Sequence, residues 1–345
     1  MEIQKQIVME LDNLKITEYK LINDLGSYVC ILDFGGIITN LCVPDKNGTI
    51  SNVVLSYENY LDYIENPCYL GCMLGRNAGR ISNGRFLLNK KQYNLKQNNG
   101  PSNLHGGNSG FNKKIMSSKD FILNEELSLE LSFTSPDGEE GYPGNLDVKC
   151  TYTFNNKNEL KISYFAESDE DTIVNLSNHT YFNLSGDYTC KVTDHKLKIL
   201  SDTYVSVDAN TVPNNIRNVV NSPFDLNKGM SLDSILSCNH EQLEKANGID
   251  HPFILNNNNA ICLSHEKSGR TLEIETNQPC CVVYTGNYLD SKLNLKENIK
   301  GHKHCGIAAE THWFPDFINR SDVPHLITSK SSPYSAYTIY KFKTK

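Results

Sequence analysis

The strictest pattern in this chain is an alternation of apolar and polar side chains with a period of two. Glu126-Leu127-Ser128-Leu129-Glu130-Leu131-Ser132-Phe133-Thr134 alternates without an error. Leu146, Val148, Cys150, Tyr152 and Phe154 follow with polar residues between them, and Leu160, Ile162, Tyr164 and Ala166 repeat the pattern. Successive side chains of a strand point to opposite faces, so each run predicts a strand with one buried face. Leu272-Glu273-Ile274-Glu275-Thr276 adds another after the turn-like Lys267-Ser268-Gly269-Arg270, and Tyr337 to Phe342 closes the chain. Helical spacing is confined to Ser231 to Cys238. There is no internal repeat and no linker-like tract. Many short strands joined by turns predict one all-β domain over 1–345, a sandwich or a barrel.

The net charge of −7 and the lack of any basic run argue against nucleic acid or an anionic membrane as the main partner. No stretch approaches the ~20 apolar residues of a membrane span. Met1 to Leu14 has no apolar core of the secretory type, and the 11 cysteines are scattered. Free thiols in a reducing cytoplasm are therefore expected. His302-Lys303-His304-Cys305 lacks a fourth ligand at zinc spacing, so no metal site is expected there.

Four polar stretches interrupt the strand pattern. In Asn175-Leu176-Ser177-Asn178-His179-Thr180-Tyr181-Phe182-Asn183-Leu184, read as a strand, His179, Tyr181 and Asn183 share one face. An imidazole, a phenol and an amide suit a hydroxyl-rich ligand better than a packed core. Histidine also moves a proton near neutrality. Alone, a histidine is more often a hydrogen-bonded structural group. Gly75 to Phe86 holds three arginines and three glycines, which supply planar cationic donors on tight turns. His105 precedes Gly106 and Gly107, where backbone can approach a ligand closely. Glu310-Thr311-His312-Trp313 places an acid near the single tryptophan. Partial burial beside Trp313 is expected to raise the pKa of Glu310, and the ring to offer a platform for a sugar.

In this order the motifs resemble those of the aldose 1-epimerase family, the galactose mutarotases. Asp33-Phe34-Gly35-Gly36, the arginine cluster, Leu104-His105-Gly106-Gly107 and Ser135 to Gly144 carry the first half of the resemblance. Asn178 to Leu184, Asp250-His251-Pro252-Phe253, Tyr284-Thr285-Gly286-Asn287 and Glu310-Thr311 carry the second. The resemblance implies a large, mostly antiparallel β-sandwich of the galactose-mutarotase type with an open cleft. It also implies interconversion of the α and β anomers of free hexoses, without metal or cofactor. By position, Glu310 matches the general base and His179 the general acid. Arg80, His105 and Asp250 match sugar-binding residues, with Gly79 and Tyr181 beside them. Three positions depart from the family pattern: Gly79 for an Asn, His312 for a Gln, and Val282 for a Gln.

Mutarotation needs a base for the C1 hydroxyl and an acid for the ring oxygen, exchanging roles on reclosure. Ionised Glu310 is expected to raise the pKa of His179. A hexose 6-phosphate epimerase would instead need a phosphate pocket, for which Arg76, Arg85, Lys113 and Lys114 are candidates. A non-catalytic sugar-binding module of the same fold is the remaining alternative. The small-molecule hexose is the expected partner, and a monomer or homodimer the expected form.

Overall fold

The computed structural model describes all 345 residues, Met1–Lys345. The alternating runs are strands. Glu126–Ser135, Leu146–Asn155 and Glu159–Ser168 are successive antiparallel neighbours. The third pairs with the closing strand Tyr334–Thr344, which pairs in turn with Arg270–Thr276. Ser117–Leu123 adds one edge, and Ile261–His265, Lys196–Ile199 and Met230–Ser231 the other, to make nine strands.

A second sheet has six strands, in the order Tyr181–Phe182, Ile307–His312, Cys280–Tyr284, Asp250–Ile254, Thr203–Val207 and Pro213–Asn218. A third, of five strands, occupies residues 2–52. Sequence pattern missed this third sheet for a physical reason. Strands such as Tyr28–Leu32 are buried on both faces and read as continuous apolar runs. The three sheets close on one core. Leu129, Tyr152, Ile162 and Tyr340 face Phe253, Cys281, Val283 and Ile307, with Leu21, Val29 and Leu41 from the third sheet. The architecture is an all-β sandwich.

Helix is minor. Leu232–Leu236 lies within the predicted segment, and Ser231 caps it by accepting from the Ser234 N–H at 3.2 Å. Asp62–Glu65 and Glu241–Ala246 are two further short helices, with no sequence signal strong enough to single them out. All eleven cysteines are free thiols, and Cys280 and Cys281 are buried at a strand start. No helix is long and apolar enough to cross a membrane.

The six-stranded sheet positions the site. Its alternation sends Cys281, Val283, Phe253 and Ile307 into the core. The residues between them face the other way. Two cross-strand rows result: Tyr181, Ala308, Tyr284 and Asp250 in one, and Glu310, Val282 and Pro252 in the other. Apart from Ala308, these residues line an open cleft.

Candidate active site

The segment 175–184 is not one strand. Ser177–Asn178 pairs with Met73–Leu74, while Tyr181–Phe182 pairs with the strand Ile307–His312. The chain crosses between them at His179 and Thr180. Asn178 shapes the crossing by accepting from the Thr180 N–H at 3.0 Å and donating to the Gly71 carbonyl at 2.9 Å. His179 and Tyr181 both line the cleft, as alternation predicts, but Asn183 does not. Its amide donates to the carbonyls of Cys190 and Cys305, each at 2.9 Å.

His179 and Glu310 meet. The imidazole Nε2 lies 3.4 Å from the Glu310 Oε1, and both residues are buried. The opposite wall is a two-stranded ribbon in which Leu104 pairs with Arg80. There the Gly79 N–H donates to the His105 Nδ1 at 3.2 Å, and the His105 N–H donates to the Gly79 carbonyl at 3.1 Å. With its Nδ1 accepting, neutral His105 carries its hydrogen on Nε2. Gly106 is required here, because a Cβ would sit 1.9 Å from the Gly75 carbonyl oxygen. Arg80 Nε donates to Asn99 Oδ1 at 3.1 Å, and its two terminal nitrogens have no protein partner. Asp250 and Gly79 also line this cleft of about 540 Å³, so all seven candidate residues come together in it. Tyr181 lines it with its ring, but its hydroxyl donates to the Cys68 carbonyl at 3.1 Å.

Burial controls the proton chemistry. Desolvation, with Asp250 nearby, pushes the Glu310 carboxyl up to about 8, against a smaller opposing effect of Arg80. Desolvation pushes His179 down to about 4. The expectation that Glu310 raises the histidine is therefore corrected: loss of water lowers it, and Glu310, itself protonated below about 8, offers no charge to oppose that. His105 is also lowered, by burial and by His179 and Arg80, and Asp250 is raised by burial. Trp313 plays no part in the cleft. Its ring packs against Phe314 at 5.6 Å, and its Nε1–H donates to the Pro324 carbonyl at 2.9 Å. Arg76 is not a ligand group either. It is buried and braces the carbonyls of Pro143, Gly144 and Ser135 at 2.7–3.1 Å. Arg85, Lys113 and Lys114 do not line the cleft, which leaves Arg80 as its one guanidinium or ammonium group.

Residues 17–341 match the family described as aldose 1-epimerase. The chain is 39% identical to the galactose mutarotase of Bos taurus, over 91% of this chain and 90% of that one. It is 37% identical to the galactose mutarotase of Homo sapiens, over 95% and 94%. The crystal structure of galactose 1-epimerase from Lactobacillus acidophilus NCFM superposes with a TM-score of 0.88 at 30% identity, covering 99% of both chains. The chain belongs to the aldose 1-epimerase family. It is an isomerase of the mutarotase type.

Two of the three departures from the family pattern are neighbours in space. A Cβ at Gly79 would lie 3.8 Å from the His312 ring, with nothing else within 4 Å. His312 donates through Nδ1 to the Trp313 carbonyl and stays outside the cleft. Val282, the third, sits on the cleft floor between Glu310 and Pro252. His105, His179 and Glu310 gather as a two-histidine, one-carboxylate group within 4.8 Å. That constellation does not fit a metal well. An ion would need the His105 Nε2 lone pair, and the Gly79 N–H puts a hydrogen there by occupying Nδ1. Sequence reasoning missed Tyr69, Asn99 and Tyr288 of the cleft, and the 207–213 loop that walls it. None of these lies in a motif with periodic or chemical signal. Their place in the cleft comes from the folding of distant loops.

Proposed function

We propose that this enzyme interconverts the α and β anomers of free hexoses such as galactose and glucose. Glu310 takes the proton of the C1 hydroxyl and His179 delivers one to the ring oxygen. The aldehyde turns about C1–C2, and the two groups exchange roles to close the ring. The observation that carries this reading is the buried His179–Glu310 pair at 3.4 Å. Between about pH 4 and about pH 8 the pair holds one proton. These values place that proton on Glu310, so the neutral form predominates; its minor ionic tautomer starts ring opening, and the neutral form is what opening leaves behind. Both contain the same single proton, so the cycle needs no proton from solvent. Arg80, His105 and Asp250 bind the sugar, with the His105 Nε2–H as a donor. No metal or cofactor takes part. We further propose one domain over 1–345, a cytoplasmic location, and a monomer or homodimer without nucleic-acid or membrane partners. A phosphorylated sugar is disfavoured, because two carboxyls share the cleft with a single guanidinium.

Polarimetry on freshly dissolved α-galactose and α-glucose tests the reaction. Acceleration of galactose 6-phosphate but not of galactose would sink it. Two further outcomes are expected. Arg80→Lys keeps the charge but loses the planar fork. It should lower kcat/KM by roughly 10–100-fold, the loss of one charge-assisted hydrogen bond. Kinetics equal to the parent would put Arg80 outside the site. Second, kcat/KM should fall on the alkaline side with an apparent pKa of about 8, where the pair loses its proton and no acid remains. A profile flat to pH ~10 would remove the one-proton pair from the mechanism.

A further inference from the structure

Tyr69 stands out on three independent counts. Its backbone has φ 57°, a left-handed conformation that bulky side chains rarely adopt and that persists only where the surroundings impose it. The surroundings do so here. Asn66 clamps the turn, accepting from the Leu70 N–H at 2.8 Å and donating to the Leu70 carbonyl at 3.1 Å. The turn is also fastened to the catalytic segment. The Gly71 N–H donates to the His179 carbonyl at 3.1 Å, and the His179 N–H donates to the Cys72 carbonyl at 2.9 Å. The Tyr181 hydroxyl holds Cys68 from below.

The ring that this strained turn presents packs on both imidazoles of the cleft. It stacks on His179 with ring centres 6.0 Å apart and an interplanar angle of 28°. It meets His105 edge-on at 4.8 Å. Such contacts exclude water from one face of His179 and fix the plane in which its Nε2 meets Glu310. The third count is the hydroxyl. Tyr69 lines the cleft, and its phenol oxygen has no protein hydrogen-bond partner. Burial raises its pKa to about 12, so the phenol is a neutral donor at working pH. Another phenol of the cleft wall, Tyr181, has its hydroxyl satisfied by a backbone carbonyl, whereas that of half-buried Tyr69 is left to whatever occupies the cleft. A free hydroxyl in a cleft for a polyhydroxylated ligand is placed to donate to that ligand.

We propose that Tyr69 is a further residue of this active site: its ring positions the His179 imidazole, and its hydroxyl binds a hydroxyl of the sugar. The proposal rests on the assignment of His179 as a proton carrier, and its test separates the two.

Tyr69→Phe keeps the ring and the backbone cost. It is expected to raise KM for galactose by about 2–12-fold, the loss of one neutral hydrogen bond, and to leave kcat within about twofold. A parent KM in this variant overturns the role of the hydroxyl. Tyr69→Leu removes the ring and meets the same left-handed backbone. It is expected to lower kcat by roughly tenfold or more, because His179 is no longer held. The His179 Cε1 proton, followed by NMR on the free protein, should then titrate above the parent value of about 4 and toward the ordinary ~6.5. The other titrating groups that face His179 — Glu310, His105, Tyr181 and Tyr284 — are all unchanged. Parent kcat and parent titration together overturn the positioning role. A lower kcat with an unmoved titration overturns it as well, since the loss would not pass through His179. A moved titration with parent kcat supports the positioning role and rejects His179 as the acid. Tyr69→Met replaces the leucine variant if that protein does not fold.

Discussion

Glu310→Gln is expected to lower kcat by roughly 10²–10⁴-fold, the contribution of one well-placed proton-transfer group. The substitution keeps the shape of the side chain and removes its proton chemistry. The same variant carries its own control for folding. A carboxyl whose folded pKa is raised, here from 4.5 to about 8, costs stability as pH rises through that window, because the unfolded chain ionises more easily. The parent therefore loses stability between those pH values and the glutamine variant does not. At pH 8 Glu310→Gln should be more stable than the parent, on the order of a few kcal/mol, and the difference should vanish below about pH 4.5. Melting temperatures across pH read this directly. An inactive variant that is more stable at pH 8 shows that function, and not folding, was removed. Turnover near the parent value would reject Glu310 as the base.

Acid is expected to unfold this protein well above the pH that titrates ordinary carboxylates. Five buried histidines, His105, His179, His195, His251 and His312, are all lowered from 6.5, mainly by desolvation. For each, the folded pKa lies below the unfolded value. Protons then favour the unfolded chain, and stability is lost as pH falls from about 6.5 toward 4. His179, His195 and His312 are each held near 4, so each costs up to about 3 kcal/mol over that range. The raised carboxyls of Glu310, Asp33, Asp250 and Asp316 act in the opposite sense. The lowered ones of Asp45, Asp169, Asp187 and Asp194 act with the histidines. Against a typical total of about 5–15 kcal/mol, the histidines are enough to bring cooperative unfolding into the range of pH ~4–6. Near-UV circular dichroism and melting temperature, titrated from pH 8 downward, should show it. Equal melting temperatures at pH ~4.5 and pH ~7 would contradict it. The acid fall of activity should follow this loss of fold, which leaves the alkaline limb as the clean report on the proposed His179–Glu310 pair.

The strands of the nine-stranded sheet were legible because they are half-buried. Glu126–Ser135 alternates since one face meets Tyr152 and the core while the other meets water. The five-stranded sheet was not legible, because Tyr28–Leu32 is buried on both faces and carries no period. His179, Glu310, Arg80, His105 and Asp250 were named from their motifs, and the fold gathers them in one cleft. Asn183 and Trp313 carried the same kind of signal and lie outside it. A polar side chain between apolar neighbours reads alike whether its partner is a ligand or a carbonyl, and here the carbonyls of Cys190 and Cys305 claimed Asn183.

The amino-acid order by itself determined the class of fold, since a period of two admits little but strands. Through its motifs it also determined the family and the kinds of group in the site. Tertiary structure alone decided how those groups behave. The pKa order of Glu310 and His179 is inverted from that of free side chains, because burial removes the water that would stabilise either charge. The tautomer of His105 is set by one backbone N–H of Gly79, twenty-six residues away in the chain. Tyr69 enters the cleft because a strained turn, tied to the backbone of His179, aims its ring there. Each is a consequence of proximity between residues distant in sequence, and local pattern carries no record of it.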